Sequence, residues 1–276
     1  MRHPIIQLDE DIRRWLGSAE AHCQAIVENY ALPLAILNDS FESIYVINDF
    51  FYYCFTKSTK TLAAINMLLD DGFGEDAQIL VRASYENYLA IAFLAAHPER
   101  LDDLVTKKIG LKTGDFEHPV TPAGRKDYRK VVDLETGETL PFSPSVAEMS
   151  ALTKYPEDLV VHQLLYGFLS EHCHAHMMAS GNYRDPSNRR YVVFNPSQTL
   201  QAKVYALYVY TLSISELARF QKLKAVHRDR TKRTLRRAIY LLDRSFKLLI
   251  FNDELKALPA SMKARVKHCE FLASDA

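Results

Sequence analysis

Apolar residues recur every three or four positions through most of this 276-residue chain, which is the spacing of one face of an α-helix. Only nine glycines occur, and no internal repeat interrupts the pattern. The sequence therefore predicts an all-α, single-domain bundle of about eight helices. We place them, with each end set to within about three residues, at residues 8–30, 40–70, 74–97, 99–110, 156–179, 197–226, 229–256 and 260–272.

The breaks in this pattern follow turn chemistry. Gly72 and Gly74 separate the second and third helices, because glycine accepts backbone angles that other residues resist. Between residues 112 and 145 the helical spacing fails, and VVDLETGETLPF predicts a short hairpin around Thr136 and Gly137. We interpret this segment as an excursion, either a lid or a disordered loop. The bundle core is then expected at 8–110 and 156–256, with a C-terminal helix at 260–272.

Composition narrows the class of protein. Lysine plus arginine and aspartate plus glutamate each number 34, so the overall charge by itself predicts neither a nucleic-acid binder nor an acidic solubilising protein. Four dispersed cysteines form no CxxC pair, which argues against a disulfide framework and a zinc ribbon. The first residues are acidic where a secretion signal is apolar, and the most apolar run carries charges. We expect a cytoplasmic protein that does not span a membrane.

That most apolar run contains a pair of opposite charges. In ILVRASYENYLAIAFLAA, residues 79–96, Arg82 and Glu86 lie one helical turn apart on the same stripe as Leu89 and Phe93. A core-facing stripe would bury both charges, and burying either one alone is costly. Two interpretations stay open. The pair either fixes how the helices pack, or it orients a guanidinium that binds a phosphate, a carboxylate or a developing anion.

A second apolar helix supplies candidate partners for this pair. In YGFLSEHCHAHMMAS, residues 166–180, Ser170 and His174 share a face that could meet Arg82 and Glu86 at the centre of the bundle. His174 would then act as a general acid or base oriented by Glu86. The alternative is that His174 only satisfies Glu86 as a hydrogen-bond partner in the core.

The same helix carries two weaker signals for a metal. His172 and His176 have the four-residue spacing of two ligands on one helix, and Glu171 with His174 forms an ExxH. A di-iron bundle needs a second ExxH, and this chain has none. No Walker loop, GxGxxG, GxSxG or HExxH occurs either. We therefore predict no cofactor and keep a metal site as the weaker hypothesis.

The two short motifs resemble those of a known family. The chain is similar to an uncharacterised bacterial family catalogued as domain of unknown function 5677, through R-x-x-x-E at Arg82 and Glu86 and S-x-x-x-H at Ser170 and His174. The resemblance covers roughly residues 40 to 215. It implies a helical fold in a bacterial cytoplasmic protein, assigns no activity and draws attention to these four residues.

A looser similarity connects the chain to HEPN helical domains. Many of those are metal-independent ribonucleases of toxin and phage-defence systems, with an arginine and a histidine four to six residues apart on one helix. No arginine of this chain is followed by histidine at that spacing. Any cooperation between Arg82 and His174 would therefore involve two helices, and nuclease activity does not follow directly from the similarity.

The predicted helix at 229–256 has a basic side opposite its apolar stripe. Its ordinary explanation is a solvated surface, or a counterpart to the acidic first third of the chain. The alternative is a surface for RNA, DNA or anionic lipid, whose binding would weaken with salt. The candidate nucleic-acid-binding residues are Arg228, Lys232, Arg233, Arg236, Arg237 and Arg244.

Three functions compete on these observations, and whether the protein is an enzyme stays open. In the first, the Arg82, Glu86, Ser170 and His174 cluster binds an anionic group and extends to HEPN-like cleavage of RNA. In the second, a non-enzymatic protein binds nucleic acid or a protein through its basic helix, 228–247. The third is a metal-binding bundle. Candidate partners are RNA or another anionic ligand, and a second copy of the chain.

Overall fold

A computed structural model describes residues 3–29, 47–171, 180, 183–185, 187, 189–193, 198–220, 225–249 and 257–273. Within them the protein is all-α, as its sequence predicts. The helices are α1 (Pro4–Glu28), α2 (Ile47–Asp70), α3 (Gly74–Ala96), α4 (Glu99–Thr113), α5 (Val146–Leu152), α6 (Glu157–Val161), α7 (Gly167–Glu171), α8 (Thr199–Phe220), α9 (Ala225–Leu248) and α10 (Leu258–Ala273). A π-helical turn, His162–Tyr166, joins α6 to α7 without a break.

The predicted helices agree with this order, and two differences are informative. The helix predicted at 156–179 is described to residue 171 and contains the π turn. Residues 172–179 lie outside the described residues, as do the predicted helical residues 40–46, 221–224 and 250–256. The short helix α5 was not predicted. Its start is a capping box, in which the Ser145 hydroxyl accepts from the Glu148 N–H and the Glu148 carboxylate accepts from the Ser145 N–H.

The excursion at 112–145 folds as a three-stranded antiparallel sheet in the order β1–β2–β3. Its strands are β1 (Phe116–Glu117), β2 (Lys130–Asp133) and β3 (Thr139–Pro141). The predicted hairpin is confirmed, with Gly137 at a φ of 73° in its turn. A second antiparallel pair joins β4 (Arg184–Asp185) to β5 (Arg190–Tyr191).

Helices α3 and α8 pack along each other, with α2 against both of them and α1 against α2, α8 and α9. Val81 and Tyr85 of α3 and Tyr205 of α8 belong to one apolar cluster that reaches most of the helices. The first residue of α3 lies against the start of α8. A Cβ atom on Gly74 would lie 2.7 Å from the Thr199 nitrogen, so glycine serves close backbone approach there.

Candidate functional site

Arg82 and Glu86 lie on the most accessible side of α3. Their side chains are 22 % and 37 % exposed to solvent. This corrects the expectation that both charges are buried. Leu89 and Phe93, on the same predicted stripe, are buried. Helix α3 contacts both α5 and α7, so the cover over this stripe changes along its length. Helical spacing alone could not show that the cover is incomplete near the charges.

The pair is organised by a tyrosine from the π turn. Arg82 Nε lies 3.4 Å from Glu86 Oε1. Arg82 Nη2 donates to the Tyr166 hydroxyl over 2.7 Å, and that hydroxyl donates to Glu86 Oε1 over 3.0 Å. The guanidinium carbon also lies 4.6 Å from the centre of the Tyr166 ring. Tyr166 thus holds the cation and the carboxylate in one geometry.

Two further residues support Tyr166 from its own helical segment. The His162 ring stacks on the Tyr166 ring, with centroids 4.6 Å apart and 27° between planes. The Ser170 hydroxyl donates to the main-chain carbonyl of Tyr166 over 2.6 Å, which is a bond within its own helical segment. Single π-helical turns inside α-helices are frequently found at functional sites. We name Arg82, Glu86, His162, Tyr166 and Ser170 the Arg82 cluster.

The environment sets the protonation of its two aromatic groups. Burial lowers the pKa of His162, although the nearby Glu86 carboxylate opposes this shift. Burial raises the pKa of Tyr166, although its hydrogen bond with Arg82 opposes that shift. At neutral pH the imidazole is therefore neutral and the phenol keeps its proton. The cluster holds a protonated hydroxyl, a carboxylate and a guanidinium in contact, which are groups that can donate a proton, accept one and bind an anion.

His174 was predicted to complete this site, but it lies outside the described residues, together with His172 and His176. Its place in the cluster stays a prediction. It is the next residue after His162, Tyr166 and Ser170 in a series with four-residue spacing. Sequence analysis missed Tyr166 and His162, for which this series was the available signal. Among the described residues, no group of three or more His, Cys, Asp or Glu side chains could hold a metal.

A second polar group, also missed by sequence analysis, is fully buried. We name it the Arg265 network, and it joins α3, α6, α8 and α10. Arg265, Asp158 and Glu216 each have 0 % exposed side chains. Arg265 Nε lies 3.1 Å from Asp158 Oδ1, and Nη2 lies 3.2 Å from Glu216 Oε1. The other members are Tyr88 and Tyr155.

The two tyrosines complete the Arg265 network. The Tyr88 hydroxyl accepts from Arg265 Nη2 over 2.8 Å and donates to Asp158 Oδ2 over 2.7 Å. The Tyr155 ring centre lies 3.4 Å from the guanidinium carbon, and its hydroxyl donates to Glu216 Oε1 over 2.6 Å. Every charge has a partner, and solvent does not reach the three charged side chains. This arrangement fixes how four helices meet and is structural.

The predicted basic residues of α9 divide into two kinds. Arg237 Nη2 and Arg244 Nη1 pair with Asp11 of α1 over 3.1 and 2.9 Å. Arg228, Arg233 and Arg236 are exposed, and Lys232 is partly buried. Arg237 and Arg244 therefore make the predicted pairing with the acidic start of the chain. Binding of a polyanion by the others stays a proposal.

Comparison with known families gives one match. The model of a family of unknown function, DUF5677, matches residues 48–191, which is 144 of the 276 residues. The chain belongs to the DUF5677 family. The matched range runs from α2 to β5 and contains the Arg82 cluster, whereas α1, α8, α9 and α10 lie outside it.

Neither a curated protein nor a solved structure matches this DUF5677 chain. The family description assigns no activity, so a function has to be argued from the geometry of the site. None of the helices in the described part of the chain combines the length and the apolar character needed to cross a membrane.

Proposed function

We propose that the Arg82 cluster binds a phosphodiester group of RNA and cleaves the chain there. The observation that carries this proposal is the Tyr166 hydroxyl, which bonds Arg82 and Glu86 at the same time. The partial exposure of the Arg82 and Glu86 side chains supports access by a ligand. The DUF5677 match includes all five members of the cluster.

The chemistry assigns each group a separate task. Arg82 binds the non-bridging phosphate oxygens and stabilises the charge that develops on them. Glu86 takes the proton of the ribose 2′-hydroxyl while O2′ bonds to phosphorus. The bond from phosphorus to O5′ breaks, and Tyr166 gives its proton to the leaving oxygen. The products are a 2′,3′-cyclic phosphate and a 5′-hydroxyl.

The hydrogen bond between Tyr166 and Glu86 returns both groups to their protonation before cleavage. After cleavage, Glu86 carries a proton and Tyr166 is a phenolate, 3.0 Å apart. A proton moves from a carboxylic acid to a phenolate without cost because the phenol is the weaker acid. Stacking on His162 holds the phenol ring in place for the next cycle. His174, the proton carrier expected from sequence, is tested beside Tyr166.

The test is cleavage of an end-labelled, single-stranded RNA by the purified protein. Tyr166→Phe keeps the ring but removes the hydroxyl, so we expect cleavage to slow by about 100-fold or more. The unfolding midpoint should stay near that of the native protein. Tyr128→Phe is the matched control because it removes a hydroxyl from an exposed tyrosine outside the cluster. It should leave cleavage and unfolding unchanged.

Three results would contradict the proposal. They are no cleavage by the native protein, full cleavage by Tyr166→Phe, and cleavage of an all-deoxy chain, which has no 2′-hydroxyl. The His174→Ala variant separates two versions of the site. Loss of cleavage with an unchanged midpoint would add His174 to the proton path, whereas full activity would leave Glu86 and Tyr166 as the proton carriers.

A further inference from the structure

A separate cleft lies between α1 and α9, outside the range of the family match. Its volume is about 430 Å³. Arg14 of α1 and three arginines of α9 line it, with Asp11 and Trp15 at its α1 side. The α9 arginines are Arg230, Arg233 and Arg237.

The charge in this cleft is only partly balanced. Four arginines and one aspartate leave three positive charges among the lining residues. Asp11 is shared among Arg14, Arg237 and Arg244, and Arg14 also contacts Glu10 over 3.2 Å. For the other two, Arg230 and Arg233, no described carboxylate lies within ion-pair distance. The guanidiniums of Arg230 and Arg233 can therefore bind an anion without breaking an ion pair to any residue that the structure describes.

The charges of Arg230 and Arg233 also act on a buried histidine of α1. His22 of α1 is fully buried, and its Nε2 lies 2.8 Å from the Thr231 hydroxyl. Burial is the main cause that lowers the pKa of His22 to about 4, followed by the charges of Arg230, His227 and Arg233. The imidazole is therefore neutral at physiological pH and adds no charge to the cleft.

We infer that this cleft binds the sugar-phosphate backbone of a nucleic acid. Arg230, Arg233 and Arg237 follow one another on one helix face, about 4.5 and 6 Å apart along the axis. A row of guanidiniums suits a polymer with regularly spaced phosphates better than a single anion. Trp15 is 4 % exposed, so its ring face does not stack on a base. Contact with the backbone alone predicts binding that depends little on base sequence.

The inference does not depend on cleavage at the Arg82 cluster. The cleft is also distinct from the rest of the basic α9 surface. Arg228 and Arg236 are exposed on the same helix but do not line the cleft. This difference supplies a matched pair of variants. Arg230→Gln with Arg233→Gln removes two charges from the cleft, and Arg228→Gln with Arg236→Gln removes two charges from the surface beside it.

The test uses the whole 276-residue chain and a labelled single-stranded DNA, which lacks the 2′-hydroxyl needed for cleavage. Fluorescence anisotropy of the label measures binding over a series of salt concentrations. Trp15 is the single tryptophan of the chain and lines the cleft, so its emission reports whether the ligand occupies this place. Parallel titrations with RNA of the same sequence and with inorganic phosphate identify the source of the phosphate.

We expect both DNA and RNA to bind and to change the Trp15 emission, and inorganic phosphate to do so only weakly. The cleft double variant should weaken DNA binding by about tenfold or more and reduce the salt slope by about 1.4, at about 0.7 for each phosphate contact. The surface double variant should lose at most about threefold. Arg233→Gln alone, at an exposed position, replaces the cleft double variant if that variant does not fold.

Four results would overturn the inference. They are no binding by the native protein, equal losses in the two double variants, binding that leaves the Trp15 emission unchanged, and a response to inorganic phosphate as strong as that to DNA. None of these measures cleavage. Failure here is therefore distinct from failure of the Arg82 proposal, for which Tyr166→Phe is the decisive variant.

Discussion

The Arg265 network and the Arg82 cluster use the same chemical groups in different surroundings. Each contains an arginine, a carboxylate and a tyrosine whose hydroxyl accepts from the arginine and donates to the carboxylate. The Arg265 side chain is 0 % exposed, whereas the Arg82 side chain is 22 % exposed. Access to solvent, not residue type, therefore separates a polar group that orders helices from one that can meet a ligand.

The largest expected effect tests how far the two groups differ in stability. Arg265→Met should lower the free energy of unfolding by about 3–5 kcal/mol, because Asp158 and Glu216 would stay buried without their shared cation. Arg82→Met should cost about 1 kcal/mol or less, because water still reaches Glu86. Urea unfolding measures both. Equal losses of unfolding free energy in the two variants would mean that the buried Arg265 network and the partly exposed Arg82 cluster do not differ in their contribution to stability.

A triple variant tests how the Arg265 network contributes to stability. Arg265→Met combined with Asp158→Asn and Glu216→Gln removes the cation together with both anions. We expect this triple variant to be more stable than Arg265→Met alone, since both buried carboxylates are neutralised together with their cation. Lys154 and Arg219, which also pair with Glu216, keep 39 % and 23 % of their side chains exposed to water. Urea unfolding again provides the measurement. A triple variant less stable than the single one would show that the carboxylates stabilise the helices through other contacts.

The smallest expected effect is the pH dependence of stability that His162 of the Arg82 cluster produces. The folded pKa of His162 lies below its unfolded value, mainly because of burial. Below about pH 6.5, the unfolded chain therefore binds a proton that the folded chain does not, and stability falls as the pH falls. His162→Phe keeps a ring beside Tyr166 but cannot titrate.

The measurement for His162 compares urea unfolding of the native protein and His162→Phe at neutral pH and near pH 5. Stability of the native protein relative to the variant should decrease on acidification. His22 contributes a loss of the same sign, but it is present in both proteins and cancels in the comparison. A difference that does not change with pH would place the imidazole in a more solvated environment than its burial indicates.

Local signals account for what the sequence predicted correctly. The spacing of apolar residues is enough for the long helices, and a four-residue spacing is enough for the contact between Arg82 and Glu86. Burial of that pair was predicted wrongly, because the cover over a helix face comes from distant segments. Tyr166 contacts Arg82 across 84 residues of sequence, so the tyrosine could not be assigned to the pair from spacing alone.

The Arg265 network had no such local signal. Arg265 is 107 residues from Asp158 and 49 from Glu216. Asp158, in the first turn of α6, resembles an ordinary acidic residue at a helix start. The capping box of α5 is the opposite case, since Ser145 and Glu148 are three residues apart and match a known sequence signature. That signal was present in the sequence and was overlooked.

The glycine at the start of α3 has a consequence for Arg82. A methyl group at Gly74 would collide with backbone atoms of Gln198 and Thr199, which cannot rotate away as a side chain can. Helix α3 is therefore fixed in height against α8, and Arg82 follows about 12 Å further along the axis. A glycine two turns before the polar cluster thus sets the height at which Arg82 lies along α8.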